Sequence, residues 1–113
     1  MDSETFTSAW SAAMAAWNDD DYGPLEALMT PDCQFPFVGQ SRDEIIASLK
    51  QGRADGHVRH DPVTITACGT VLVTIAKNTF ADGTTAYVGG AARFNDAGQV
   101  FYMTAVDERA PVD

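Results

Sequence analysis

From Val71 to Asp107 apolar and polar residues interleave in three runs, VLVTIAKNTF, TTAYVGGAARF and QVFYMTAVD. Two turn signals, Asp82-Gly83 and Asn95-Asp96-Ala97-Gly98, divide them. Interleaving at period two marks strands, and Asp-Gly between such runs marks a hairpin. The pattern predicts a three-stranded antiparallel meander. With Asp82-Gly83 as a two-residue turn, Val71, Val73, Ile75, Lys77 and Thr79 share a face with Phe94, Ala92, Gly90, Val88 and Ala86. Leu72, Thr74, Ala76, Asn78 and Phe80 share the other with Arg93, Ala91, Gly89, Tyr87 and Thr85. Both faces are moderately apolar, so both need cover: helices can cover one, and a second subunit is the economical cover for the other.

The chain before the meander supplies those helices. Phe6, Trp10, Ala13, Met14 and Trp17 form a stripe at helical spacing after a cap at Asp2 or Ser3, and this helix is expected to end near Asn18. Pro24 opens a short second helix with Leu25, Leu28 and Met29 on its apolar side, closed by Pro31. Cys33 to Val38 reads as a short strand, confined by Pro36 to an edge or a bulge. Ser41 and Glu44 form a capping box for a third helix through Ile45, Ile46 and Leu49, with Gly52 as its stop. His57 to Ala67 is the strand before the meander. A two-residue turn after it puts His60, Pro62 and Thr64 on the first face; a three-residue turn puts Arg59, Asp61, Val63 and Ile65 there. The second register is preferred, because it matches Val63 and Ile65 to Val73 and Val71.

At 113 residues the chain predicts one domain, spanning 1–113, with Ala110 to Asp113 loose at its end. Sixteen acids against seven cations give a formal charge of −9, which argues against nucleic-acid and anionic-membrane partners. Cys33 and Cys68 make no disulfide framework, and no apolar run is long enough for a membrane span, so a cytoplasmic protein is expected. The Asp19-Asp20-Asp21 run lacks the glycine and distal glutamate of a calcium loop. His57 and His60, three apart on a strand, are expected on opposite faces and so form no zinc pair. No metal and no cofactor is expected. Lys77 stands in an otherwise apolar row, where a lysine suits a base, a Schiff-base amine or an anion anchor. Asp107 falls on the same face if Phe101, Met103, Ala105 and Asp107 alternate, and can act as a base or as the partner of Lys77 or Arg59. A histidine acting as base is a further option, and Arg59 with Asp61 reads as a rim ion pair.

Several short pieces, in order, resemble the nuclear transport factor 2-like superfamily, in particular its SnoaL-like and ketosteroid-isomerase-like branch. They are Ala16-Trp17-Asn18 through Asp21, Leu25 to Leu28, Thr30-Pro31-Asp32, Gly39 with Arg42 to Ile45, and Arg93 to Val100 (RFNDAGQV). The resemblance implies an α+β, cone-shaped, cystatin-like fold with N-terminal helices packed on a curved antiparallel β-sheet. It implies a cavity between the helices and the concave sheet face, and homodimers joined through the outer face. On that reading Trp10, Met14, Trp17, Phe37, Arg59, Asp61, Ile75, Val88, Phe94 and Met103 contact a small apolar ligand, with Lys77 and Asp107 as the catalytic candidates.

Fold does not fix function. The positions of the ketosteroid isomerase acids and base fall on Ala13, Gly90 and Phe37, and the cyclase-type acid near Ala105. None has a side chain that transfers protons. The first expectation is therefore a small-molecule-binding protein. The alternative is an enzyme of the isomerase, polyketide cyclase or hydrolase type, and the third is a protein-interaction domain using the outer face.

Overall fold

The computed structural model describes residues 3–108. The proposed cap at Asp2 and the tail from Ala110 to Asp113 lie outside them. The elements run α1 (Ser3–Asn18), α2 (Gly23–Leu28), β1 (Met29–Gln34), α3 (Arg42–Ala54), β2 (His57–Cys68), β3 (Val71–Phe80), β4 (Thr85–Phe94) and β5 (Val100–Asp107). One five-stranded sheet has the order β1-β5-β4-β3-β2, with the helices on its concave face. This is the α+β cone expected. The sheet is mixed, however, because β1 pairs with β5 in parallel.

The helical stripe is the core. Phe6, Trp10, Ala13, Met14 and Trp17 are all buried, against Leu25, Met29, Ile45, Leu72, Ala92, Phe94, Val100 and Met103. Phe6 stacks on Phe94 with ring centroids 4.2 Å apart. Pro24 occupies the first turn of α2. The Ser41 hydroxyl accepts the Glu44 backbone N–H at 3.2 Å, so the box caps α3 as its residues imply. The helix runs past Gly52 to Ala54, and the chain then turns at Gly56, whose φ is 107°.

The structure departs from the pattern at β1, at the β3–β4 and β2–β3 turns, and in β5. The first strand ends at Gln34. Phe35 to Gly39 instead closes a tight turn, with Phe35 and Gly39 exchanging both backbone hydrogen bonds at 2.9 Å. Phe37 sits at its tip with φ 67°, fully exposed, so it contacts no cavity.

The β3–β4 loop has three residues, Ala81 to Gly83. Phe80 N–H bonds Thr84 C=O and Gly83 N–H bonds Phe80 C=O, each at 2.9 Å, with Gly83 at φ 86°. Asp-Gly suits this loop as well as the two-residue one. The extra residue shifts the register by one, and Thr79 pairs with Thr85. A one-residue slip turns a strand over. Leu72, Thr74, Ala76 and Asn78 therefore face inward, opposite Ala92, Gly90, Val88 and Ala86. Val73, Ile75 and Lys77 face outward.

The β2–β3 turn has two residues, Gly69 and Thr70, with Cys68 paired to Val71, so the preferred three-residue turn is wrong. Strand β2 also carries irregularities at Val58 and Val63, where the register with β3 shifts. Along β5, a shift at Phe101 turns that ring outward, under the Arg93 guanidinium at 5.2 Å. Met103, Ala105 and Asp107 keep the inward side, opposite Ala92, Gly90 and Val88.

Candidate functional site

Between α1, α2, α3 and the concave face lies a cavity of about 190 Å³. Its walls are mostly apolar: Trp10, Met14, Leu25, Phe35, Leu49, Val88, Gly90 and Met103 among others. Its polar side chains are His57, His60, Thr74 and Asn78, besides the two indoles; Thr104, on the outward side of β5, lines it with backbone. A largely apolar cavity with a few convergent polar groups is the usual form of a small-molecule site.

The histidines converge because of the Val58 bulge. On a regular strand, residues three apart face opposite ways. Here Val58 is unpaired, so His57 pairs with Phe80 while His60 pairs with Asn78, and both rings turn inward. The expectation of opposite faces is overturned. Their ring centroids are 6.1 Å apart. His60 Nδ1 lies 2.6 Å and His57 Nε2 2.9 Å from the same Asn78 Oδ1. His57 Nε2 is also 3.0 Å from the Arg59 carbonyl. Both of these partners are acceptors, so Nε2 of His57 and Nδ1 of His60 carry the protons. In neutral His60 that leaves the lone pair on Nε2.

Burial sets the charge state. It lowers the pKa of His60 below the ordinary value of 6.5, with the neighbouring His57 acting in the same direction, against the Asn78 hydrogen bond and Asp61. Burial also lowers His57, opposed by its bonds to Asn78 and the Arg59 carbonyl; Arg53 lowers it further and Asp107 raises it. Both rings are therefore neutral at pH 7.

Helix α1 holds this strand in place. His60 N–H donates to Asn18 Oδ1 at 2.7 Å, and Asn18 Nδ2 donates to the His60 carbonyl at 2.8 Å. Strand β2 is a sheet edge, so these backbone groups would otherwise lack protein partners. Trp17, one residue earlier, lies against both imidazoles, 5.0 Å from His60 and 5.4 Å from His57 between centroids. Arg53 donates to the carbonyls of Trp17 and Val58, tying the bulge to the end of α1. Asn18→Ala strips two backbone groups of their partners. We expect it to lower unfolding stability by about 2 kcal/mol, read from the urea midpoint at constant m.

The residues singled out from sequence divide. Trp10, Met14, Trp17, Val88 and Met103 line the cavity. Phe94 belongs to the core beside it. Asp107 lies on the inner face next to Val88, close enough for its charge to favour protonated His57. Lys77 and Ile75 stand on the outer face, opposite Tyr87 and Gly89, for the register reason given above. Asp61 faces outward opposite Lys77 and pairs with Arg59 at 2.8 Å, so neither meets the cavity. Gly90 and Ala105, which the resemblance aligns with catalytic acids, do line the wall, where they leave room rather than protons. Burial, with the Asp32 charge adding to it, pushes the Cys33 thiol up to about 11, so it is no nucleophile. The residues missed were Asn78, Thr74, Leu25 and Leu49, together with the pairing of His57 and His60. The buried-face pattern of β3 would have revealed Asn78 and Thr74 in the correct register.

No family model matches the chain, and no curated protein matches it. Solved structures do. IdmH from Streptomyces antibioticus, a candidate polyketide cyclase, superposes with a TM-score of 0.74 at 16% identity, over 91% of each chain. A candidate isomerase of the SnoaL-like family from Agrobacterium tumefaciens gives 0.72 at 16% identity, over 92% of this chain and 95% of its own. TerC, co-crystallised with polyporic acid, gives 0.74 at 19% identity, over 89% of each chain. At such identities the likeness is one of fold: this chain shares the α+β cone of these structures.

Proposed function

We propose that the cavity receives a small apolar molecule and that His60 acts on it as a general base, in an enzyme of the isomerase or cyclase type. The observation that carries this reading is the His57–Asn78–His60 cluster on an otherwise apolar wall. Asn78 presents one carbonyl oxygen to both rings and fixes their tautomers. His60 Nε2 is then a neutral base with a lowered pKa, suited to taking a proton from a C–H made acidic by an adjacent carbonyl. His57 braces Asn78, and the apolar wall keeps water from the carbanion. Neighbours of the same fold named as a candidate cyclase and a candidate isomerase support an enzyme over a passive binder. The ligand found with TerC supports a small-molecule partner.

The test is base-catalysed elimination of 5-nitrobenzisoxazole, a two-ring probe that reports any base in an apolar pocket. Acceleration that saturates with probe and disappears in His60→Gln supports the reading. No acceleration by the wild-type protein sinks it and leaves a non-catalytic binder.

The outer sheet face supports a homodimer. Val73, Ile75, Tyr87, Tyr102 and Val106 are all exposed there, the last at 72%. Their strands are contiguous, and an apolar patch of this kind on a monomer is uncommon. Lys77 and Arg93 flank it with positive charge in a chain of net −9. Sedimentation is expected to give a dimer at micromolar concentration, and Ile75→Glu to give a monomer. A wild-type monomer would instead leave this face for a different protein.

A further inference from the structure

We propose that the imidazole of His57 is a partition that sets the length of ligand the cavity accepts. A second cleft, of about 510 Å³, opens beside the first, between the α3–β2 connection and the β3–β4 hairpin. Gly56, Phe80, Ala81 and Thr84 line it, with Asp55 and Asp82 at its acidic side. Among the described residues, His57 is the one that lines both spaces. Its ring has one side toward Trp17 and the inner cavity and another toward Phe80, at 5.6 Å between centroids, in the outer cleft.

The inner space alone is small. A cavity of roughly 150 Å³ holds a single benzene ring, so 190 Å³ takes a one-ring or compact two-ring molecule. An elongated ligand reaching past β2 must pass the position of His57. What holds that ring is a short set of polar contacts, Asn78 Oδ1 and the Arg59 carbonyl, both on the same nitrogen. Backbone geometry fixes where the ring starts. The Val58 bulge aims it inward, and Ala81 N–H donates to the Gly56 carbonyl at 2.7 Å, which holds the cleft walls together independently of the imidazole. Removing the ring therefore joins the two spaces without removing what frames them.

This inference rests on the reading of the inner space as a ligand site, and its test separates the two. The chain has two tryptophans, Trp10 and Trp17, and both line the inner cavity. Their indole N–H signals in ¹H–¹⁵N spectra report occupancy. The probes are phenol, one ring, and N-phenyl-1-naphthylamine, three rings in an elongated molecule. Phenol is expected to shift the indole signals of the wild type, which reads the inner space as a ligand site before the variants are compared. The long amine is expected to bind His57→Ala at least about tenfold more tightly than wild type, through the extra apolar surface buried. His57→Phe, which restores a ring without its hydrogen bonds, is expected to exclude the long amine as wild type does. It also separates the wall from the polar cluster, since a role through Asn78 alone would make Phe behave as Ala.

Equal affinity of the long amine for wild type and His57→Ala overturns the partition, as does a His57→Phe that behaves like His57→Ala. Phenol without effect on either indole signal of the wild type overturns the ligand site and the partition with it.

Discussion

His60→Gln is expected to reduce the elimination rate with 5-nitrobenzisoxazole by about 100-fold or more, the usual contribution of a positioned base. Glutamine keeps a hydrogen-bonding group near Asn78 but has no basic nitrogen. The pH profile distinguishes this from general damage. A histidine base works in its neutral form, so the wild-type rate rises with pH and levels off above the His60 pKa. Burial lowers that pKa, which places the half-maximal rate below the ordinary value of 6.5. The residual rate in His60→Gln has no such inflection. A profile with its midpoint above 6.5 would contradict the neutral, buried imidazole described here.

Gly39→Ala is expected to be strongly destabilising. A Cβ at Gly39 would lie 2.6 Å from the Ile45 nitrogen and 2.9 Å from the Glu44 carbonyl carbon. These are backbone atoms in the first turn of α3 and cannot swing aside. Relief requires moving α3 away from the Phe35–Gly39 turn. That disturbs Ile45 and Ile46 in the core and the Ser48 hydroxyl, which donates to the Val38 carbonyl at 2.6 Å. Overpacking against fixed backbone should cost about 3 kcal/mol, and for a domain of this size the melting temperature should fall on the order of 15 °C. Gly52→Ala is the control. Nothing lies within 4 Å of a Cβ there, and alanine inside a helix should raise stability by about 0.5–1 kcal/mol. Thermal scans of the two variants check both signs.

The helices were legible in the sequence because their signals are local. The α1 stripe at Phe6, Trp10, Ala13, Met14 and Trp17 and the Ser41–Glu44 box depend on a few neighbouring residues, and both are where the pattern puts them. The inward faces of β4 and of β5 from Met103 were legible for the same reason. Strand β3 was not. Asp82-Gly83 is compatible with two loop lengths, and the choice decides whether Lys77 or Asn78 faces the cavity. Nor was the β1–β5 pairing, which joins residues about seventy positions apart through contacts that no local pattern encodes. The candidate site therefore lies at His57, Asn78 and His60 rather than at Lys77, and of these only the two histidines stand out in the sequence as candidate chemistry.

The unpaired Val58 has a consequence for how chains of this shape are compared. His57 and His60 are three apart in sequence but occupy positions two apart along the ladder. A relative with a regular strand would place the same two rings with the spacing His-x-His. Aligned without a gap, such a chain would match one histidine here and miss the other. Deleting Val58 should by the same count keep both imidazoles inward.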